Sequence, residues 1–245
     1  MIPKVIHYCW FGRNPLPPLA VKCIDSWEKY LPDYEIKEWN EDNFDVNIIP
    51  YTAQAYQAKK YAFVSDYARF WILYKYGGVY FDTDVEVINP IDDIVEKGAF
   101  MGIEKDYNYG ITVAPGLGLG VEARHPLYKE FMDYYSTYTF TDETGRMNMK
   151  TIVAYTTEIL FKHGLVNVPG IQTIEGIKIY PSEYFCPRNI VTKRFHITPN
   201  TRTIHHYAGT WSNPTLKGKI KKRLRKILPE QILFFFNRTK TFFKG

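Results

Sequence analysis

The first forty residues constrain the fold most. Val5-Ile6-His7-Tyr8-Cys9-Trp10-Phe11 is a short apolar run closed by Gly12 and the turn-rich Arg13-Asn14-Pro15-Leu16-Pro17-Pro18. That length and those boundaries suit a buried strand. Residues 19–30 place Ala20, Cys23, Ile24 and Trp27 at helical spacing, and Tyr34-Glu35-Ile36-Lys37-Glu38-Trp39 alternates as a second strand. Strand, helix and strand at this spacing predict a βαβ unit and a mainly parallel sheet covered by helices, an α/β fold. The remaining pattern agrees. Residues 51–76 read as helix up to Gly77-Gly78, 79–88 as an alternating strand ending before Pro90, and 92–97 as a short helix or turn. Residues 99–103 read as a strand, 104–124 as a Gly-rich loop, and 125–138 and 149–163 as helices. Short strands are expected near 177–180 and 203–206.

Gly77-Gly78-Val79-Tyr80-Phe81-Asp82-Thr83-Asp84 carries the chemistry. Side chains at i and i+2 of a strand share a face. Tyr80, Asp82 and Asp84 are therefore expected to point one way while Val79, Phe81 and Val85 bury. Two carboxylates on one face repel, and burying them uncompensated is costly. A divalent cation removes that cost, and Mg²⁺ or Mn²⁺ favours one or two carboxylates together with substrate phosphates. Asp-x-Asp alone is common, and a solvated strand end is the simpler account of the bare triplet. The preceding helix carries Ser65-Asp66-Tyr67-Ala68-Arg69, which sets Asp66 and Arg69 on one helical face. Such a pair is either an ordinary surface ion pair or a charged pair facing a polar ligand, with Asp accepting from hydroxyls and Arg donating to hydroxyls or phosphate.

Four segments in register resemble glycosyltransferase family 32, the DXD sugar-binding transferases, over about residues 1–213. They are Ile2-Pro3-Lys4-Val5-Ile6-His7-Tyr8-Cys9-Trp10-Phe11-Gly12, Ser65-Asp66-x-x-Arg69, the Gly77–Asp84 stretch, and His205-His206-Tyr207-Ala208-Gly209-Thr210-Trp211. The resemblance implies a GT-A fold (a Rossmann-like nucleotide-diphospho-sugar transferase), a nucleotide-sugar donor with UDP-sugar favoured, Mn²⁺ or Mg²⁺, and retention of anomeric configuration. It assigns Asp82, Asp84 and Arg69 as catalytic. It places Trp10 on the nucleobase, Tyr80 along the donor, Asp66 and Arg69 on sugar hydroxyls, Asp82 on ribose or sugar, and Trp211 and Ser212 over the pyrophosphate. The metal shell it implies is Asp82, Asp84 and a histidine; the local pattern of the motif favours His206 over His205, and a strand would turn only one of them toward the site.

Other features carry less. His7 reads as a satisfied core histidine, and Gly116-Leu117-Gly118-Leu119-Gly120 as an acceptor-side or structural loop, since it lacks the phosphate-loop spacing. His125 and His163 read as helix-end histidines without partners. Three cysteines with no metal spacing read as free thiols.

The net charge of +5 conceals an asymmetry. From Leu216 onward ten basic residues face one acid, a net of +9, which leaves −4 for residues 1–215. Leu216, Ile220, Leu224, Ile227 and Leu228 form one apolar stripe on that basic segment, and Ile232-Leu233-Phe234-Phe235-Phe236 follows Pro229. A basic amphipathic helix with a Phe-rich end suits an anionic membrane surface. Nucleic acid, which needs neither the stripe nor the phenylalanines, is the weaker match. The expected organisation is thus a transferase domain over 1–215 and a membrane-associating tail over 216–245. With no signal-peptide pattern at Met1, the expected location is cytoplasmic, peripheral on the cytoplasmic face of the membrane. The expected function is a retaining, metal-dependent hexosyltransferase acting on a saccharide or glycolipid acceptor in bacterial polysaccharide, capsule or lipopolysaccharide synthesis. The alternatives are a metal-dependent nucleotidyl- or phosphotransferase, or a non-catalytic membrane- or glycan-binding module.

Overall fold

The computed structural model describes residues 1–209. Trp211, Ser212 and the basic segment 216–245 lie outside the described residues, as do the expectations placed on them. In chain order the elements are β1 (Val5–Cys9), α1 (Pro18–Tyr30), β2 (Glu35–Trp39), α2 (Pro50–Gln57), α3 (Tyr61–Tyr76), β3 (Gly78–Tyr80), β4 (Val85–Val87), α4 (Asp92–Val95) and β5 (Phe100–Lys105). There follow β6 (Thr112–Val113), β7 (Leu119–Val121), α5 (Pro126–Ser136), α6 (Ile152–Lys162), β8 (Gln172–Ile174), β9 (Ile177–Tyr180), α7 (Ser182–Phe185) and β10 (Thr203–His205).

The main sheet runs β2-β1-β3-β7-β5-β9-β8, with β6 beside β5. β1 pairs parallel with β2 and β3, and β5 pairs parallel with β9, whereas β7 is antiparallel to β3 and β5 and β8 is antiparallel to β9. Along that path five strands point one way and two the other, a mixed sheet with a mostly parallel core. Both faces are covered. Ile6, Val79 and Phe81 face a core with Trp27 of α1, Ile94 of α4 and Phe185 of α7. Cys9 and Tyr80 face the other, with Phe63, Phe70 and Leu73 of α3, Phe131 of α5 and Leu160 of α6. Trp27 also donates from Nε1 to the Val85 carbonyl (2.7 Å), which ties α1 to β4. Among the described residues no helix is long and apolar enough to cross a membrane.

Three sequence expectations change. The helix expected over 51–76 is two helices, parted at residues 58–60, where Lys59 adopts φ 56° and Lys60 N–H returns to the Ala55 carbonyl (2.8 Å). The strand expected over 79–88 breaks after Tyr80, turns through Asp82–Asp84, and resumes as β4, which leaves the main sheet to pair with β10. The Gly-rich stretch 104–124 contains β6 and β7. A Cβ on Gly120 would overlap the Phe100 ring of neighbouring β5, so this strand needs the small residue that makes it look like a loop.

His7 is a satisfied core residue. Trp39 Nε1 donates to Nδ1 (3.0 Å), and Nε2 donates to the Gly77 carbonyl (3.0 Å). Burial lowers its pKa to about 4, so it stays neutral. His125 and His163 are not without partners. His125 Nδ1 accepts from Leu127 N–H (3.3 Å), capping α5. His163 lies between Glu175 Oε1 (3.1 Å) and Glu130 Oε2 (2.7 Å), joining α5, α6 and the β8–β9 turn. Cys9, Cys23 and Cys186 are buried free thiols.

Candidate active site

β1 lies between β2 and β3, so the chain leaves its carboxyl end toward one neighbour and returns on the other side. A crevice opens at such a switch point, outside the carboxyl ends of the strands, and ligands of open α/β sheets bind there. Trp10 follows β1 and the Asp82–Asp84 turn follows β3, so both lie at that end of the sheet.

α3 supplies its charged floor. Arg69 Nη2 lies 3.0 Å from Asp66 Oδ1 and 3.1 Å from Asp82 Oδ1, and Nε donates to the Ser65 carbonyl (3.2 Å). The residues are not a surface pair: Arg69 is 3% exposed and Asp66 9%. Tyr80 lies beneath them, its ring 4.9 Å from the guanidinium carbon and its hydroxyl donating to Asp82 Oδ1 (3.3 Å). At 1% exposure Tyr80 supports Arg69 and Asp82 from within, which corrects the expectation that it runs along the donor. Burial, opposed by Arg69 and assisted by Asp82, raises the Asp66 pKa to about 7. Burial works against the Arg69 charge too, yet Asp82, Tyr80 and Asp66 outweigh it and hold the guanidinium firmly ionised.

The Asp-Thr-Asp turn is fixed by backbone. Asp82 N–H donates to the Gly116 carbonyl and Val85 N–H to the Asp82 carbonyl, both at 3.0 Å. Gly116 is required here, because a Cβ would overlap Asp82 Oδ2. Asp84 is gripped by the chain after β10. His205 Nε2 lies 3.1 Å from Oδ1, Ala208 N–H donates to Oδ2 (2.7 Å), and His206 N–H donates to the Asp84 carbonyl (3.0 Å). Burial opposes the charge on both side chains of the His205–Asp84 pair. The mutual hydrogen bond and attraction prevail, raising His205 and lowering Asp84.

The histidine beside the aspartates is therefore His205, not His206. β10 pairs with β4 in the register Ile204↔Glu86 and His205↔Val85. Even-numbered side chains of β10 share the face of Glu86, so His206 Nε2 meets Glu86 Oε2 (2.7 Å), which also holds Lys22 (2.9 Å). Only one histidine faces the pair, as strand alternation requires, but register decides which. Among the described residues, donor atoms of Asp82, Asp84 and His205 lie within 4.8 Å of one another. Metal–ligand bonds of about 2.0–2.2 Å would bridge donors up to ~4.4 Å apart, so a small closure suffices, and two carboxylates with one imidazole suit Mn²⁺ or Mg²⁺ with open positions for phosphate. The residues fit a divalent cation.

Trp10 is half-buried after β1, packed against the core, with its Nε1 donating to the Asn14 carbonyl (2.6 Å). The structure thus gathers Asp66, Arg69, Tyr80, Asp82 and Asp84 and substitutes His205 for His206. Sequence reasoning treated Gly116 only as part of an acceptor-side or structural loop and did not foresee its contact with Asp82; Glu104 in β5, whose Oε1 accepts from the Tyr207 hydroxyl (3.1 Å), carried no sequence signal.

Residues 17–101 match the family model described as "Glycosyltransferase sugar-binding region containing DXD motif". The chain is 33% identical over 104 residues to inositol phosphoceramide mannosyltransferase 3 of Schizosaccharomyces pombe, covering 41% of this chain and 29% of that protein. It is 26% identical over 196 residues to the uncharacterized glycosyltransferase L373 of Acanthamoeba polyphaga mimivirus, covering 78% and 75%. The chain spans less than half the length of the fission-yeast mannosyltransferases it matches. Among solved structures, mouse xyloside xylosyltransferase 1 superposes with a TM-score of 0.50 at 11% identity, over 84% of this chain and 98% of that one, a likeness of fold.

Proposed function

We propose that this chain is a DXD-motif glycosyltransferase of the family 32 type, which moves a hexose from a nucleoside-diphosphate sugar to a saccharide or lipid-linked acceptor with retention of configuration; the match of residues 17–101 to the DXD sugar-binding model and the GT-A-like fold support this reading. The observation that carries this reading is the meeting of Asp82, Asp84 and His205 with the buried Arg69 at the switch point of the sheet. Asp82, Asp84 and His205 would hold Mn²⁺ or Mg²⁺, which when bound supplies Lewis-acid stabilisation of a leaving diphosphate. Arg69, kept cationic by three neighbours, donates to phosphate or sugar oxygens and holds the Asp82 carboxylate in place. Asp66 accepts from a sugar hydroxyl. Trp10 stacks on the base. No second carboxylate is placed as a nucleophile in the reading we favour. The acceptor hydroxyl attacks the anomeric carbon on the leaving-group side, the bond to the diphosphate oxygen breaks, and that oxygen takes the hydroxyl proton.

The fission-yeast relatives are inositol phosphoceramide mannosyltransferases, which supports mannose among the hexoses and a phosphate-bearing lipid among the acceptors. We place the chain in bacterial polysaccharide or glycolipid assembly, held on an anionic membrane surface by residues 216–245. The test uses donors labelled in the sugar and in the nucleotide. Asp84→Ala and Asp82→Ala should each nearly abolish metal-dependent sugar transfer and donor hydrolysis in a folded protein. Full activity in Asp84→Ala or in EDTA would sink the reading, and transfer of the nucleotide label would replace it with a nucleotidyltransferase.

A further inference from the structure

His205 meets Asp84 through Nε2, and its Nδ1 is buried without a hydrogen-bond partner. A histidine that holds a cation normally has its second nitrogen fixed by a carboxylate, carbonyl or water, which sets the plane of the ring. The His205 ring instead packs against an aromatic one: the Tyr207 ring lies 4.1 Å away, centroid to centroid, at 42°. Tyr207 is itself held from several sides. Its hydroxyl donates to Glu104 Oε1 (3.1 Å) and receives the Cys186 thiol, with Sγ at 3.0 Å. The Arg188 guanidinium carbon sits 4.3 Å from its ring centroid. Its backbone is left-handed, φ 53°, a conformation non-glycine residues keep only where the surroundings enforce it. That turn carries Ala208 N–H to the second oxygen of Asp84 (2.7 Å).

We propose that Tyr207 is the positioning residue of the cation site, fixing the His205 imidazole by ring contact and folding the chain back onto Asp84, with Glu104 and Cys186 as its anchors. The inference rests on Asp82, Asp84 and His205 being the site of a divalent cation. It makes the cradle a property of residues on β5 and just after α7 and β10 rather than of the Asp-Thr-Asp turn alone.

Mn²⁺ binding to the full chain, followed by electron paramagnetic resonance of the free ion, tests it, with thermal melts in EDTA as the folding control. Tyr207→Leu should weaken Mn²⁺ binding about 10–100-fold, the range for residues that orient metal ligands. Tyr207→Phe keeps the ring and loses its anchors, and should weaken binding several-fold. Glu104→Gln and Glu104→Leu remove the same charge, but only the amide oxygen still accepts the tyrosine hydroxyl, so Gln should bind Mn²⁺ more tightly than Leu. Activity lost in Tyr207→Phe should return at saturating Mn²⁺, a split that general destabilisation would not give. If His205→Ala loses Mn²⁺ while both Tyr207 variants bind it like the native chain, the inference is wrong and the cation site stands. If the native chain binds no Mn²⁺, or His205→Ala changes nothing, the cation reading itself fails. Should Tyr207→Leu not fold, Tyr207→Phe and the Glu104 pair decide.

Discussion

Replacing Arg69 by methionine removes a charge and keeps most of the volume. In the native chain one guanidinium lies 3.0 Å from Asp66 and 3.1 Å from Asp82, and Arg69 is 3% exposed. Without it two carboxylates face each other in a site largely closed to water. Breaking a buried ion pair by removing one partner costs about 3–5 kcal/mol. In a chain of this size 1 kcal/mol moves Tm by about 2–4 °C, so the melt should fall by about 6–20 °C. The deficit should also depend on pH. Burial already raises the Asp66 pKa to about 7, and losing Arg69 removes what opposes the rise. A carboxylate whose folded pKa exceeds its unfolded value of about 3.9 is penalised while ionised, and the penalty fades as pH falls through the folded value. Arg69→Met should therefore lie further below the native chain at pH 8 than at pH 5.5. Thermal unfolding in EDTA at both pH values measures this. A deficit below about 1 kcal/mol at pH 8 would mean the pair behaves like an exposed one. An equal deficit at both pH values would refute the assignment of the proton to Asp66.

Gly116→Ala places a methyl group where Asp82 Oδ2 lies, so the carboxylate must move. Sugar transfer should fall about 100-fold, the cost of roughly 1 Å of misplacement, while stability falls by about 1–3 kcal/mol; native kcat in this variant would contradict the close approach. His163 is raised above its ordinary pKa by Glu175 and then Glu130, so its contribution is present below about pH 6.5 and lost as pH rises through the folded value. His163→Gln should lower the unfolding free energy at pH 6 by no more than about 1 kcal/mol and by less at pH 8.5, read from thermal melts; an equal loss at both would remove the charge argument. Deleting residues 216–245 should release the chain from anionic vesicles in flotation, and unchanged flotation would discard the membrane role of that segment.

Much of the candidate site was legible because it rests on local rules. A short apolar strand, a helix with Ala20, Cys23 and Trp27 on one face, and an alternating strand leave few topologies open. The aspartate pair and the Asp66–Arg69 spacing are local as well. What local pattern misjudged was governed by neighbours. β7 looks like a loop because it lies in a run of glycines, which carry no strand preference, and only the Phe100 ring beside Gly120 explains the glycine inside the strand. Residues 79–88 look like one strand because alternation continues across Asp82–Asp84, whereas the Gly116 carbonyl and β10 bend the chain there.

The sequence by itself determined that the chain is an α/β protein with a carboxylate pair after a buried strand and a cationic residue one helix away, since side-chain period and spacing are properties of the chain alone. Tertiary structure decided that Arg69 is buried between two carboxylates, that Tyr80 supports rather than lines the crevice, and that His205 joins the aspartates while His206 goes to Glu86. These depend on strand register and on which surfaces close over which charges. A shift of one residue in the β4–β10 pairing would exchange the two histidines while leaving the local sequence pattern unchanged.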